Sequence, residues 1–219
     1  MEAKEQSKAF EAKFADPRIL LLHLDHADRR RQTAQAMGYV ETPLLILQDN
    51  RTYWPPRSSF LQSLITPFEE PSTGGVSPIL EARHRQHPVS WKGFWNFLGM
   101  AYLTRRSFEY CATYGIDGGI STLAGRFGVF RTSNYASKEF LDGYLNVYVL
   151  WGMIGPLNAD DDKFHTRWLI EHDWKIKLQA GPESTATTEL GERPKLNEQI
   201  LRWMRTTWRS NPRQLLLHY

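Results

Sequence analysis

Cysteine is almost absent from this sequence: Cys111 is the one thiol in 219 residues. No intrachain disulfide can form, Cys-rich metal frameworks are excluded with it, and a reducing compartment is the natural setting. Long hydrophobic runs are also missing. The longest weakly charged stretch, Leu145 to Ala159, is broken by Gly152, Gly155 and Pro156. A bilayer span needs about 20 apolar residues, so nothing here is expected to cross a membrane unaided. Met1 to Lys13 alternates charges without an apolar h-region, so no secretory signal is expected there. Excess charge is small, with 27 Lys+Arg against 24 Asp+Glu and a net +3. That is too little to imply a nucleic-acid partner, although the pI near 9.0 leaves the question open. Neither GxxxxGK(S/T) nor GxGxxG occurs, so P-loop and dinucleotide readings lack a motif.

What is present is material for one core: 41% hydrophobic residues, 13% aromatics including eight Trp, and 23% charged residues, which excludes disorder. Arg18 to Asp25 (RILLLHLD) and Pro43 to Leu47 (PLLIL) read as strands buried on both faces. Helical stretches follow each, Asp28 to Met37 ending at Gly38 and Pro55 to about Phe68. Strand, helix, strand, helix with short links predicts parallel βαβ units and an α/β fold with a mostly parallel central sheet. Gly74-Gly75-Val76 opens a strand to Ala82, and Trp91 to Tyr114 is a long helix with a broad apolar face that carries Cys111, expected as a small buried hydrophobe. Gly115 to Arg131 is expected to hold two short strands. Lys138 to Trp151 reads as a helix, Lys175 to Gln179 as an edge strand, and Pro194 to about Arg209 as a last helix. With no repeat or low-complexity linker, one domain over residues 18–215 is expected, after a polar lead-in (1–17) and before a short tail (216–219).

In an open α/β sheet, ligands bind beyond the carboxyl ends of strands, where Asp49 stands after PLLIL. The triplet Asp160-Asp161-Asp162 precedes the helical spacing of Phe164, Trp168, Leu169 and His172. One reading is an acidic helix start, stabilised by about 0.3–1 kcal/mol at the positive end of the dipole. The other is a general base, because a carboxylate crowded by like charges holds its proton more tightly. Gln199, Arg202 and Trp203 stand at i, i+3 and i+4, which puts an amide, a guanidinium and an indole on one helical face. That face could grip a phosphate and stack a sugar, or be an ordinary amphipathic face with Trp203 in the core.

Together, the strand-end Asp, the acidic triplet and QxxRW some 40 residues later resemble the processive family 2 glycosyltransferases. These include the cellulose, chitin and hyaluronan synthases, and the nearest likeness is to fungal polysaccharide synthases. Trp54-Pro55-Pro56, Gly74-Gly75-Val76, Ile116-Asp117-Gly118-Gly119, Gly125-Arg126, Gly155-Pro156-Leu157-Asn158 and Thr166-Arg167-Trp168 also match, so the resemblance runs from about Arg18 to Leu215. It implies a GT-A-type, Rossmann-like nucleotide-sugar domain, here incomplete at its N-terminus, and an inverting transfer from a nucleotide-sugar, a UDP-sugar, to a growing polysaccharide. Asp162 would be the catalytic base. Asp161, Gly125 and Trp203 would border the acceptor, while Arg30, Arg31, Asp49, Gln199 and Arg202 would hold the donor. The family's metal-binding DxD corresponds to Asp49-Asn50-Arg51, so Asp49 keeps the first acid for Mg²⁺ or Mn²⁺ and Arg51 replaces the second. The resemblance also implies an earlier strand with a uridine-contacting Asp and flanking transmembrane helices that hold the catalytic domain on the cytosolic side. Neither is expected within the 219 residues given, which by themselves are expected to be soluble or peripheral, through the aromatic helix Trp91 to Tyr114.

Two other classes compete. The first is a non-catalytic or inactive glycosyltransferase-like remnant that binds sugar or a partner protein, motivated by Arg51. The second takes the Arg202 to Arg213 cluster (RWMRTTWRSNPR) as a nucleic-acid surface, which explains neither the triplet nor the sheet. His23-x-x-His26 and His84-x-x-His87 have no third ligand at a familiar spacing and read as ordinary histidines.

Overall fold

The computed structural model describes residues 16–87, 89–149, 151–158, 160–190 and 194–215, with side chains to residue 210. The expected lead-in at 1–15 and tail at 216–219 lie outside the described residues. In chain order the elements begin with α1 (Arg29–Met37), β1 (Leu44–Gln48), β2 (Thr52–Tyr53), α2 (Ser59–Ile65), a 3₁₀ turn (Thr66–Glu69), β3 (Thr73–Pro78), β4 (Leu80–Ala82) and α3 (Trp91–Asp117). They continue with β5 (Phe127–Arg131), α4 (Thr132–Tyr135), α5 (Lys138–Leu145), α6 (Asp161–Glu171), β6 (Lys175–Gln179), β7 (Ala186–Thr188) and α7 (Lys195–Leu215).

By their contacts the residues group into two compact units, residues 1–41 with 135–158, and residues 42–134 with 159–219. In the first, α1 starts where the Asp28 side chain accepts the Arg31 backbone N–H and ends at Gly38, as the sequence predicts. Helix α5 is capped by Ser137 and packs Phe140 and Tyr144 inward. It stops at Leu145, short of the expected Trp151, and a bridge between Val149 and Ile154 follows. The strand expected at Arg18 to Asp25 does not form: the segment is irregular, and Ile19 and Leu20 are 48% and 59% exposed. An apolar run becomes a buried strand only when neighbours complete its ladder, and among the described residues none pairs with this one.

The second unit holds the sheets and the candidate site. One sheet has the order β1-β5-β3-β6 and the other β2-β7-β4. The class is α/β with mixed sheets, consistent with a GT-A-like glycosyltransferase domain. Only β3 with β6 and β4 with β7 are parallel; β1 and β3 each run antiparallel to β5. The expectation of a mostly parallel sheet is corrected accordingly. β1 and β3 do share a direction, as a βαβ unit requires, but β5 inserts between them. The Gly115 to Arg131 segment supplies that one strand rather than two.

Strand β3 is buried along its whole length, and its core partners include Phe60, Leu64, Phe127 and Val129. Gly74 lies so near α6 that a Cβ there would come within 2.7 Å of Trp174 Cβ and 2.8 Å of Leu169 Cδ2. The glycine pair is therefore what lets α6 sit on the sheet. Helix α3 begins at Ser90, whose hydroxyl accepts the Gly93 N–H, and ends at Gly118 with φ +73°, a left-handed cap suited to glycine. Its buried residues are Gly93, Asn96, Gly99 and Leu103, while Trp91, Phe94 and Phe97 are 66%, 47% and 60% exposed. The apolar face expected of this helix is thus largely on the surface, and Cys111 is exposed rather than buried. Among the described residues no helix is long and apolar enough to cross a membrane.

Candidate active site

The triplet separates into distinct roles. Asp160 takes a left-handed backbone (φ 72°) just before α6 and is 9% exposed. Its carboxylate accepts the Ser210 hydroxyl and faces Arg209 Nη2 at 3.4 Å and Arg167 Nη1 at 4.0 Å. It anchors the far end of α7, a packing role that the sequence reading did not foresee. Asp160→Ala should leave the buried guanidinium groups without their anion and cost about 3–5 kcal/mol, measured by urea unfolding. A loss within error would show the anchor to be dispensable.

Asp161 and Asp162 open the first turn of α6. The Asp162 carboxyl is densely surrounded although its residue is not fully covered. Burial, then the neighbouring Asp161 charge and that of Asp160, push its pKa up to about 6, against the pull of Arg106 and the Lys163 N–H. Gly125 abuts it: a Cβ on Gly125 would lie 2.6 Å from Asp162 Oδ2. The loop carrying Gly125 is pinned on both sides. Leu123 N–H donates to Thr166 Oγ1 (2.9 Å), whose hydroxyl donates to the Asp162 carbonyl, and Ala124 N–H donates to Ser77 Oγ (3.0 Å).

Arg126, next in sequence, serves the other half of the site. Its Nη1 donates to Thr188 Oγ1 (3.0 Å) and the Glu189 carbonyl (2.8 Å), and its guanidinium stands 6.0 Å from the Trp203 ring centroid. Its carbonyl accepts the Asp49 N–H at 2.9 Å. Burial lowers its pKa; Asp49 opposes that, and the charges of Arg202, Arg51 and Arg106 add to it. Asp49 therefore does stand at the carboxyl end of β1, in a turn closed by Thr52 N–H to the Asp49 carbonyl. Trp203 stacks on Tyr102 of α3 with centroids 5.5 Å apart, and it packs against the core cluster. Gln199 lies one turn earlier on the same helix, and Arg202 is exposed.

Asp162 and the QxxRW face are joined by residues that sequence reading missed. Gly99, Tyr102, Arg106 and Tyr110 fall at i, i+3, i+7 and i+11 on α3 and form one stripe. Gly99 admits Leu196 of α7, since a Cβ there would be 3.4 Å from Leu196 Cδ1. Tyr102 meets Trp203. Arg106 donates from Nε to Tyr110 Oη at 2.5 Å, and its charge acts on Asp162. Burial disfavours the Arg106 cation, yet Tyr110 and Asp162 more than offset that and raise its pKa. A small residue followed by polar ones at helical spacing was the available signal, but it is weak against the aromatic pattern around it.

Arg30 and Arg31 belong to the other unit. Arg30 is buried, with Nη1 on the Tyr144 carbonyl (2.5 Å) and its plane over the Tyr144 ring, whereas Arg31 pairs with Asp28 at 3.4 Å. A divalent cation would find few ligands near Asp49. Glu189, the next carboxylate, accepts from Arg85 Nη1 (2.7 Å) and Tyr53 Oη (3.0 Å), and no group of three His, Cys, Asp or Glu able to hold a metal occurs among the described residues. The Arg126 guanidinium acts on Asp49 and an arginine stands two residues on, so this donor set does not fit Mg²⁺ or Mn²⁺.

No family model matches the chain. It is similar to proteins named type 2 glycosyltransferase from three fungi. The identity is 41% with that of Gibberella zeae, over 89% of this chain and 36% of the relative. With that of Pyricularia oryzae it is 36%, over 90% and 40%, and with that of Zymoseptoria tritici 38%, over 94% and 42%. The similarity supports the type 2 glycosyltransferase family, and the chain spans less than half the length of these relatives.

Proposed function

We propose that this chain, similar over nine-tenths of its length to type 2 glycosyltransferases, carries reacting groups of an inverting glycosyltransferase. It moves a sugar from a UDP-sugar to the end of a growing polysaccharide. The observation that carries the reading is the Asp162 carboxyl, crowded to a pKa of about 6 and set against the bare backbone of Gly125. A base is most effective with its pKa near the working pH. Asp162 takes the proton of the acceptor hydroxyl as that oxygen bonds to the anomeric carbon. The bond from this carbon to the diphosphate oxygen breaks, and its electron pair leaves with the nucleoside diphosphate. Attack opposite the leaving group inverts the centre. Gly125 lets the acceptor approach closely, with Asp161 beside it, while Gln199, Arg202 and Trp203 border donor and acceptor. In a longer protein, flanking helices would deliver the product to a membrane from the cytosolic side.

The test is transfer from UDP-sugars, with the product anomer read by NMR and the initial rate followed against pH. The inverted anomer should form, at a rate that rises with pH through about 6 as Asp162 loses its proton. A retained anomer, or a flat profile across that region, would refute the assignment. Arg51 favours a second reading, a sugar- or partner-binding protein without transfer. Donor binding with no nucleotide released would support it.

A further inference from the structure

The geometry points to a donor site that neutralises the diphosphate with arginines rather than with a divalent cation, using Arg51 and Arg126 beside Arg202. This rests on the nucleotide-sugar reading above. The turn after β1 carries Asp49 as its acid, and Arg51 stands where the second carboxylate of a metal pair would be. Glu189 is a poor replacement, because Arg85 already neutralises its carboxylate at 2.7 Å and Tyr53 donates to its other oxygen. A cation drawn to Asp49 would meet the positive charges of Arg126 and its neighbours, which repel it.

The Arg126 guanidinium is fixed where an anion could meet it. Arg126 is held in place by Nη1, which donates to Thr188 Oγ1 and the Glu189 carbonyl, and by the indole of Trp203. Arg51 is tied to the same spot, since the Thr188 hydroxyl that accepts from Arg126 Nη1 donates to the Arg51 carbonyl at 3.0 Å; the charges of Arg202, Arg51 and Arg106 act on Arg126, and that of Asp49 opposes them. Like charges gathered at a partly buried position are costly unless an anion binds among them. A diphosphate supplies that anion, and its charge grows by one as the sugar leaves. Planar forks match phosphate oxygens, so positive charge is brought to the leaving group without a metal.

The test is calorimetry of the full chain with UDP and with inorganic pyrophosphate, in excess EDTA and then with Mn²⁺. Both probes should bind in EDTA, and Mn²⁺ should change either affinity less than about twofold. Arg51→Asp restores a DxD sequence; it should weaken pyrophosphate in EDTA by about tenfold or more, and Mn²⁺ should recover the loss. Arg51→Gln should lose the affinity without that recovery, which separates lost charge from a gained metal site. Binding of the unaltered chain that needs Mn²⁺ overturns the inference and leaves the nucleotide-sugar reading intact. Pyrophosphate bound in EDTA with UDP no tighter upholds the arginine site and overturns the nucleotide reading. Failure of both probes under both conditions overturns both.

Discussion

Asp162→Asn is expected to abolish sugar transfer and at the same time make the fold more stable. Loss of a positioned general base slows a reaction by about 10²–10⁴-fold, and an amide cannot take the acceptor proton. The stability gain follows from the same crowding. Folding raises the Asp162 pKa from 3.8 to about 6, so between those values the folded state holds more protons than the unfolded one. Stability therefore falls as pH rises through that window, and near neutrality the charged carboxylate opposes folding by about 1–3 kcal/mol. The amide carries no charge, and its oxygen can still accept the Lys163 N–H that Oδ1 accepts at 2.9 Å. Thermal unfolding near neutral pH should show a raised Tm, with the gap to the unaltered chain closing below pH 3.8. Unchanged turnover would remove Asp162 from the mechanism. An inactive variant with a lowered Tm would show instead that the carboxylate is structural.

Gly125→Ala is expected to cost about 10²-fold in turnover while the chain remains folded, because a displacement near 1 Å at a reacting group is enough for that loss. The added methyl would sit 2.6 Å from Asp162 Oδ2 and 2.9 Å from its Cβ, so the carboxylate must move away. The methyl also removes water from the carboxyl, which should shift the rising limb of the pH profile to higher pH. That shift separates a displaced base from a general loosening, which would lower the rate without moving the profile. Turnover within about twofold of the unaltered chain would show that the Gly125–Asp162 approach lies outside the reacting geometry.

Much of this architecture can be read from local pattern. The start and stop of α1, the length of α3, the edge strand β6 and the helix bearing Gln199, Arg202 and Trp203 all follow from spacing and caps. Asp49 after β1 and the acids at the start of α6 are legible for the same reason. The failures are also instructive. Arg18 to Asp25 has the composition of a buried strand, but strand formation depends on neighbours that composition does not contain. The exposed aromatics of α3 look like core in sequence, because periodicity reports a face and not what covers it.

The sequence by itself determined where α1, β1, α3, α6, β6 and α7 lie and which polar residues stand at their ends, since backbone hydrogen bonding and side-chain period act over a few residues. The tertiary structure alone decided that Asp160 ties down α7 while Asp162 meets Gly125, that Arg106 bridges toward Tyr102 and Trp203, and that Arg126 is brought to Asp49. The cause is physical. A carboxylate's proton affinity and a guanidinium's partner are set by groups brought close from distant parts of the chain, and no local spacing encodes that distance.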